Sequence, residues 1–211
     1  MESQLTHHHR FAAHSWGLEK RVVDCLFSLL IVAFFLSWLV PIIAVLIKLD
    51  SSGPVFFRQL RTGKDGLPFY CLKFRSMCVN SECDSRQASR EDQRITRVGR
   101  LLRKTSLDEL PQFFNVLRGE MSVVGPRPHM LKHTEQYNGL LENFMIRHAV
   151  PPGITGWAQV IGCRGETREV SAMAKRLEAD LWYMENWSFL LDIKIILLTI
   201  QVCIQDTKHV Y

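Results

Sequence analysis

The sequence predicts an α+β chain, mainly helical with a small β-hairpin, held at a membrane by an apolar N-terminal segment. Three observations carry this expectation. Cys25 to Ile47 is a run of 23 residues without a charge, rich in Leu, Ile, Val and Phe. Residues 53 to 77, GPVFFRQLRTGKDGLPFYCLKFRSM, place two aromatic and β-branched segments on either side of the turn signal GKDG. From Leu107 onward, apolar residues recur every three to four positions, at Leu107, Leu110, Phe113 or Phe114, and Leu117.

In chain order, residues 1 to 19 read as a polar tail, with His7, His8 and His9 as solvated residues rather than ligands. The uncharged run that follows would be about 35 Å long as a helix, against a hydrocarbon core of roughly 30 Å. It can therefore enter a membrane. It is not a signal peptide, because it exceeds the usual apolar core of about 7–15 residues and IKLDSS is no cleavage site. Pro41 interrupts the run, removing a backbone donor and clashing with the preceding turn. Both flanks are basic: Arg10, Lys20 and Arg21 before, and Lys48, Arg58, Arg61 and Lys64 after. Both flanks thus qualify as cytoplasmic. The simplest reading is a helix that enters, breaks at Pro41 and returns to the same face. A spanning helix with a tolerated proline kink stays open beside it.

Beyond the hairpin, the polar stretch 80 to 93 reads as a loop or frayed helix, and helical signals resume near Ile95. GPRPH ends that helical stretch, and a short helix follows around 131 to 148. VPPGITGWAQVIGCRG reads as a long Pro/Gly-rich loop, and residues 168 to 186 as an amphipathic helix. Phe189 to Ile204 is apolar but carries Asp192 and Lys194, so it is too short to span and belongs in the membrane interface or the core.

The chain has 211 residues and a net charge of +5. That balance suits anionic partners. Nucleic acid is excluded as the partner: the sequence shows no helix-turn-helix signal, no RNA-binding sheet motif and no zinc-ligand spacing. The six cysteines, at 25, 71, 78, 83, 163 and 203, form no CxxC and read as reduced packing residues.

The chemistry-bearing stretch is RKTSLDELPQFFNVLRGEMSVVGPRPH, residues 103 to 129. Two adjacent carboxylates, Asp108 and Glu109, follow Arg94, Arg97, Arg100, Arg103 and Lys104. Two like charges about 4 Å apart repel by roughly 4 kcal/mol at an effective dielectric of about 20, so in a pocket cations must surround them. Arg97, Arg100 and Arg103 are expected along one side of a helix. Arg127 sits between Pro126 and Pro128, and Lys73 and Arg75 are expected on one face of the second strand. Together these are ingredients of a polyphosphate site: arginine forks bind phosphate oxygens, and the carboxylates can hold a divalent cation that bridges phosphates. The structural alternative is that SLDE forms a capping box, with Ser106 as N-cap and Glu109 at the third helical position, and that the arginines are a solvated face or bind anionic lipid.

KFRSM, SLDELPQFFNVLRGEMSVVGPRP and PGITGWAQV, in this order, resemble the bacterial sugar transferases, the small monotopic phosphoglycosyl transferases. The likeness runs from about Lys20 to about Thr199. It implies transfer of a sugar-1-phosphate from a UDP-sugar to polyprenyl phosphate, with release of UMP and with Mg²⁺ as cofactor. The position matching Asp108 attacks the β-phosphorus, and the one matching Glu109 deprotonates or positions the incoming polyprenyl phosphate. Both are the implied metal site. Lys73, Arg75, Arg103 and Arg127 are the expected phosphate ligands, and Pro126, Pro128, Gly156, Trp157 and Arg164 the candidates at the nucleotide and loop. The resemblance also implies a re-entrant helix broken by proline. The expected division is a tail over 1–19, a re-entrant membrane helix over 20–50 and a cytosolic catalytic domain over 51–211. With no large membrane domain ahead of the apolar run, a minimal form of such an enzyme is expected. The implied place is the cytoplasmic face of the bacterial inner membrane, and the implied partners are a UDP-sugar, polyprenyl phosphate and membrane lipids, with a homodimer left open. The sequence departs from the family pattern at Val40, where serine is usual, and at Pro151, Ile161 and Cys163, which replace a basic residue, an asparagine and an arginine; Arg164 follows one position later. Glu120 stands for the usual aspartate and keeps its charge.

Two other classes fit parts of the sequence: a membrane-anchored basic module without catalysis, and a hydrolase of lipid-linked phosphates. Loss of UMP release in an Asp108→Asn variant separates the first from a transferase, and dependence of turnover on polyprenyl phosphate separates the second.

Overall fold

The computed structural model describes residues 17–79, 92–163, 165 and 169–205. The histidine run, most of the polar tail, Cys83, most of the polar stretch after the hairpin and Arg164 lie outside the described residues.

The apolar segment is helical from Leu18 to Asp50. It comprises α1 (Leu18–Ile31), a π-helical turn (Val32–Leu36) and α2 (Ser37–Asp50). The sequence placed a break at Pro41, but the backbone stays helical through it. The irregularity lies earlier, where the Ser37 amide bonds to the Val32 carbonyl. Such π-turns and prolines are the usual sites of helix bending. The carbonyls disturbed by the turn find side-chain donors. Ser37 Oγ donates to the Ala33 carbonyl at 2.7 Å, and Trp38 Nε1 to the Phe34 carbonyl at 2.7 Å.

α1 is polar on the inside and apolar on the outside. Lys20, Asp24 and Ser28, four residues apart, are its buried positions, whereas Leu18, Val22, Val23, Leu26, Leu29 and Leu30 are exposed. The exposed apolar face continues through Phe34, Phe35, Trp38, Ile42, Val45, Leu46 and Leu49. An apolar surface of this extent marks a lipid or protein contact.

The hairpin forms as expected. β1 (Phe56–Thr62) pairs antiparallel with β2 (Pro68–Phe74), in register from Phe56 opposite Phe74 to Thr62 opposite Pro68. Asp65 and Gly66 take positive φ in the connecting turn. Next come α3 (Arg97–Lys104), a 3₁₀ turn (Leu107–Glu109) and α4 (Gln112–Arg118), which ends on Gly119 at φ 87°. β3 (Ser122–Val124) pairs in parallel with β4 (Gly153–Thr155), a pairing the sequence did not announce. Between them run α5 (Leu131–Asn138) and a 3₁₀ turn (Phe144–His148). Three helices close the chain: α6 (Trp157–Val160), α7 (Val170–Glu185) and α8 (Phe189–Gln205).

The main core joins the hairpin (Phe69, Cys71), α4 (Phe113, Val116), β3 (Val123, Val124), α7 (Tyr183, Met184) and α8 (Ile195) to Leu36 of the apolar segment. A second cluster packs Ile43 and Ile47 of α2 against Phe74 and Leu102. The core expectation for the last helix holds in part: Ile195 is fully buried, while Phe189, Leu190, Leu197 and Ile200 on the same helix are exposed.

Both ends of the apolar segment are tied to this body. Near the start, Lys20 Nζ meets Asp192 at 2.6 Å and Asp24 at 3.7 Å. Asp24 accepts from Ser122 Oγ at 2.7 Å, and Asp192 accepts from Tyr183 Oη at 2.6 Å and Trp187 Nε1 at 3.1 Å. Arg21 donates to the Val116 and Leu117 carbonyls at the end of α4, where a cation suits the helix dipole. At the other end, Asp50 accepts from the Val98 amide at 2.8 Å.

The Lys20–Asp192 pair yields a prediction. Removing one partner of a buried ion pair leaves the other charge uncompensated, at about 3–5 kcal/mol. Lys20→Met is expected to lower stability by that amount in denaturant unfolding of the micelle-bound protein; an unchanged midpoint contradicts a buried pair.

Candidate active site

Asp108 and Glu109 stand on the 3₁₀ turn between α3 and α4. The capping-box alternative does not form. Ser106 is left-handed at φ 56°, its side chain caps no amide of the turn, and the turn is only three residues long. Glu109 is instead drawn away by cations. Lys73 Nζ donates to Oε1 at 2.7 Å, Arg127 Nη2 to Oε1 at 2.5 Å, and Arg127 Nη1 to Oε2 at 3.0 Å. Asp108, beside it, is 7% exposed and makes no hydrogen bond or ion pair among the described residues.

The electrostatics follow from that division. Burial alone would raise the Glu109 pKa, but Arg127 and Lys73 outweigh it and hold the carboxyl well below its usual range. Glu109 in turn raises the Arg127 guanidinium above its ordinary value. Burial pushes Asp108 up to about 6, with the Glu109 charge adding to the rise and Lys73, Arg103 and Arg127 opposing it. Arg103 is lowered, first by its own burial, with both carboxylates acting against the shift. The turn therefore presents one carboxylate saturated by cations and one left open beside them.

The structure brings together Lys73, Arg103, Asp108, Glu109 and Arg127. It sends Arg75 elsewhere. That guanidinium donates to the Ser51 carbonyl at 2.7 Å and to the Ser52 carbonyl, at the end of α2. β2 stops at Phe74, so strand alternation no longer puts Lys73 and Arg75 on one face. The arginine row is also split. A three-residue step falls about 60° short of a full helical turn, so Arg97 and Arg100 point to solvent while Arg103 faces the carboxylates.

Pro126 and Pro128 are buried on either side of Arg127. Gly156 is a close-packing position, because a Cβ there would come within 2.2 Å of the Gly125 carbonyl oxygen. Gly153 donates to the Pro126 carbonyl at 2.9 Å, and Gly125 to the Thr155 carbonyl at 2.8 Å. The GITG stretch thus holds the GPRP backbone. Trp157 packs on Trp182 with ring centroids 5.0 Å apart, beneath Lys194. Sequence reasoning passed over Asn115, which fastens the strand bearing Lys73. Its Oδ1 accepts from the Leu72 amide at 2.9 Å, and its Nδ2 donates to the Tyr70 carbonyl at 2.8 Å and to Glu120 at 2.6 Å. Its signal was an amide among the apolar positions of QFFNVL.

Among the described residues no group of three or more His, Cys, Asp or Glu side chains could enclose a metal ion. Glu109 already accepts three hydrogen bonds, two on Oε1 and one on Oε2. Asp108 is open. Mg²⁺ commonly binds through one or two carboxylates together with substrate phosphates and waters, and Asp108 fits that mode.

Comparison with known proteins gives the family. The family model for bacterial sugar transferases matches residues 15–206. The chain belongs to that family. A UDP-glucose:undecaprenyl-phosphate glucose-1-phosphate transferase of Klebsiella pneumoniae is 54% identical over 182 residues, covering 86% of this chain and 39% of that protein. A transferase of the same name from Caulobacter vibrioides is 48% identical, over 87% of this chain and 68% of its own length. A UDP-N-acetylgalactosamine-undecaprenyl-phosphate N-acetylgalactosaminephosphotransferase of Aeromonas hydrophila is 45% identical, over 86% and 43%. The chain thus spans about two fifths of the Klebsiella relative.

The two carboxyls are expected to titrate apart. Carbon-13 resonances of the micelle-bound protein without metal should show Asp108 ionising as pH rises through about 6 and Glu109 already ionised well below 4.5. In Arg127→Met the Glu109 midpoint should move up, because one of the two cations that depress it is gone. Coincident midpoints near 4 for both groups would contradict the division of charge.

Proposed function

We propose that this protein transfers a sugar-1-phosphate from a UDP-sugar to a polyprenyl phosphate and releases UMP. The observation that carries the reading is the unpartnered, buried carboxylate of Asp108 beside a carboxylate saturated by Lys73 and Arg127. The names of the transferase relatives agree with it.

The chemistry follows from the charges. An Asp108 oxygen attacks the β-phosphorus of the donor, and the bond from that phosphorus to the bridging oxygen breaks. UMP leaves with the bonding electrons, and the sugar phosphate stays on Asp108 as an acyl phosphate. An oxygen of polyprenyl phosphate then attacks the same phosphorus, and the Asp108 carboxylate departs. A covalent intermediate divides one difficult displacement into two. A carboxylate approaching a diphosphate needs cations to offset repulsion and to stabilise charge on the equatorial oxygens. Lys73, Arg103 and Arg127 are placed for that work, and Glu109 positions Lys73 and Arg127 for the incoming phosphates. Asp108 is the residue that would hold Mg²⁺ together with the diphosphate, and the bound ion supplies further charge neutralisation.

The re-entrant topology belongs to the same proposal. Both ends of Leu18–Asp50 are fastened to one body, through Asp192 and Ser122 at one end and Val98 at the other. A straight crossing would put the two ends on opposite sides of a hydrocarbon core roughly 30 Å thick. A segment that enters and returns keeps the site at the headgroup level. A soluble nucleotide sugar and a lipid-borne phosphate both reach it there, at the cytoplasmic face of the inner membrane.

The test is UMP release from a panel of UDP-sugars, including UDP-glucose and UDP-N-acetylgalactosamine, in membranes carrying undecaprenyl phosphate. Release is expected with a subset of donors and is lost in Asp108→Asn. Donor alone should leave a phosphosugar on residue 108, detectable by mass spectrometry; turnover without any such adduct overturns the covalent route. For topology, cysteine labels placed before Leu18 and in the hairpin turn should react from the same side of intact cells, and opposite sides would refute re-entry.

A further inference from the structure

The side chain of Arg127 is useful only if its backbone is held still, and the structure shows how that is done. Four consecutive carbonyls are each taken by a different donor. The Pro126 carbonyl accepts from the Gly153 amide at 2.9 Å and the His129 carbonyl from the Thr62 amide at 2.9 Å. The Pro128 carbonyl accepts from Arg61 Nη1 at 3.0 Å, and the Arg127 carbonyl from Arg147 Nη2 at 2.9 Å.

Arg147 is unlike the other three. It lies in the 3₁₀ turn after α5, is 2% exposed, and is among the largest fully buried side chains of the described residues. Nε and Nη2 donate to Asp180 Oδ2 at 3.0 and 2.6 Å. Nη1 meets His129 Nδ1 at 2.8 Å. A guanidinium only donates, so His129 accepts there and its proton lies on Nε2. One side chain thus fixes Asp180 of α7, the ring of His129 and the backbone of Arg127. A buried ion pair is a poor source of stability when apolar residues could fill the space. Its return here is geometric, because the planar fork holds several acceptors in a fixed relation.

We infer that Arg147, oriented by Asp180, is a positioning residue that sets Arg127 against Glu109 and the donor phosphates. Arg147 touches no reacting atom. It acts through the carbonyl of Arg127, and Asp180 acts through Arg147. The inference rests on the reading of Arg127 as a phosphate ligand.

The experiment uses the full chain in lipid nanodiscs and the variants Asp180→Asn, Arg147→Lys and Arg127→Lys, singly and with each of the first two combined with the third. Lysine at 147 keeps the charge and loses the fork, and it serves where Asp180→Asn fails to fold. Misplacement of a substrate-binding group by about 1 Å can lower rates by about 100-fold. Asp180→Asn and Arg147→Lys are each expected to lower kcat/KM for UMP release by about 10–100-fold, with faster amide exchange confined to residues 125–130. Added to Arg127→Lys, either change should cost no more than about threefold further, because coupled residues do not add. Losses that multiply in the double variants, single variants with wild-type activity, or lost activity with wild-type exchange over 125–130 would each overturn the inference. A wild-type protein that releases no UMP from any donor would overturn the proposed function instead, and the exchange measurement would still decide whether the clamp exists.

Discussion

The grip of Lys73 and Arg127 on Glu109 is the constraint on which the site depends. Two adjacent carboxylates on a three-residue turn cannot both be buried and charged without compensation. The protein resolves this unequally. Glu109 takes both cations and becomes a fixed anchor for them, while Asp108 is left with the electric field of those cations and none of their hydrogen bonds. A shared arrangement would neutralise both acids and leave neither available. The unequal one separates a hydrogen-bonded charge from an open one within two residues.

That division needs elements distant in sequence to meet. Lys73 comes from the hairpin, Arg103 from α3 and Arg127 from the segment after β3. Asn115 fastens the hairpin strand to α4, and the glycines of the β3–β4 pairing let two backbones approach closely enough to steady GPRP. The same β3 strand is fastened to the apolar segment, because Ser122 and Val123 both donate to Asp24. Membrane segment and site therefore share a strand.

Much of this was legible in the sequence. The hairpin followed from two β-branched, aromatic runs about a glycine turn, and Asp108, Glu109, Lys73, Arg103 and Arg127 from charge patterning and family motifs. What was hidden depended on geometry that spacing does not encode. Arg75 looks like Lys73 two residues on, yet the strand ends between them. Proline marked the wrong place for the irregularity in the apolar helix, because a π-turn depends on how the chain packs and Ser37 and Trp38 supply donors locally. Arg147 and Asp180 carry no local signal, since their relation to Arg127 exists only once α7 folds back. The β3–β4 pair is three residues on each side, too short for periodicity to reveal.

The inside-out character of α1 has a consequence for how this molecule can be handled. Cutting the chain at residue 51 to obtain a soluble fragment would strip Asp192 of Lys20, and Ser122 and Val123 of Asp24, and remove Leu36 from the main core. The severed surface would then be polar groups stranded beside apolar ones, suited neither to water nor to lipid. The apolar helix and the body it is tied to are one folding unit, and work on this protein has to begin with the bilayer, or a faithful substitute for it, already in the tube.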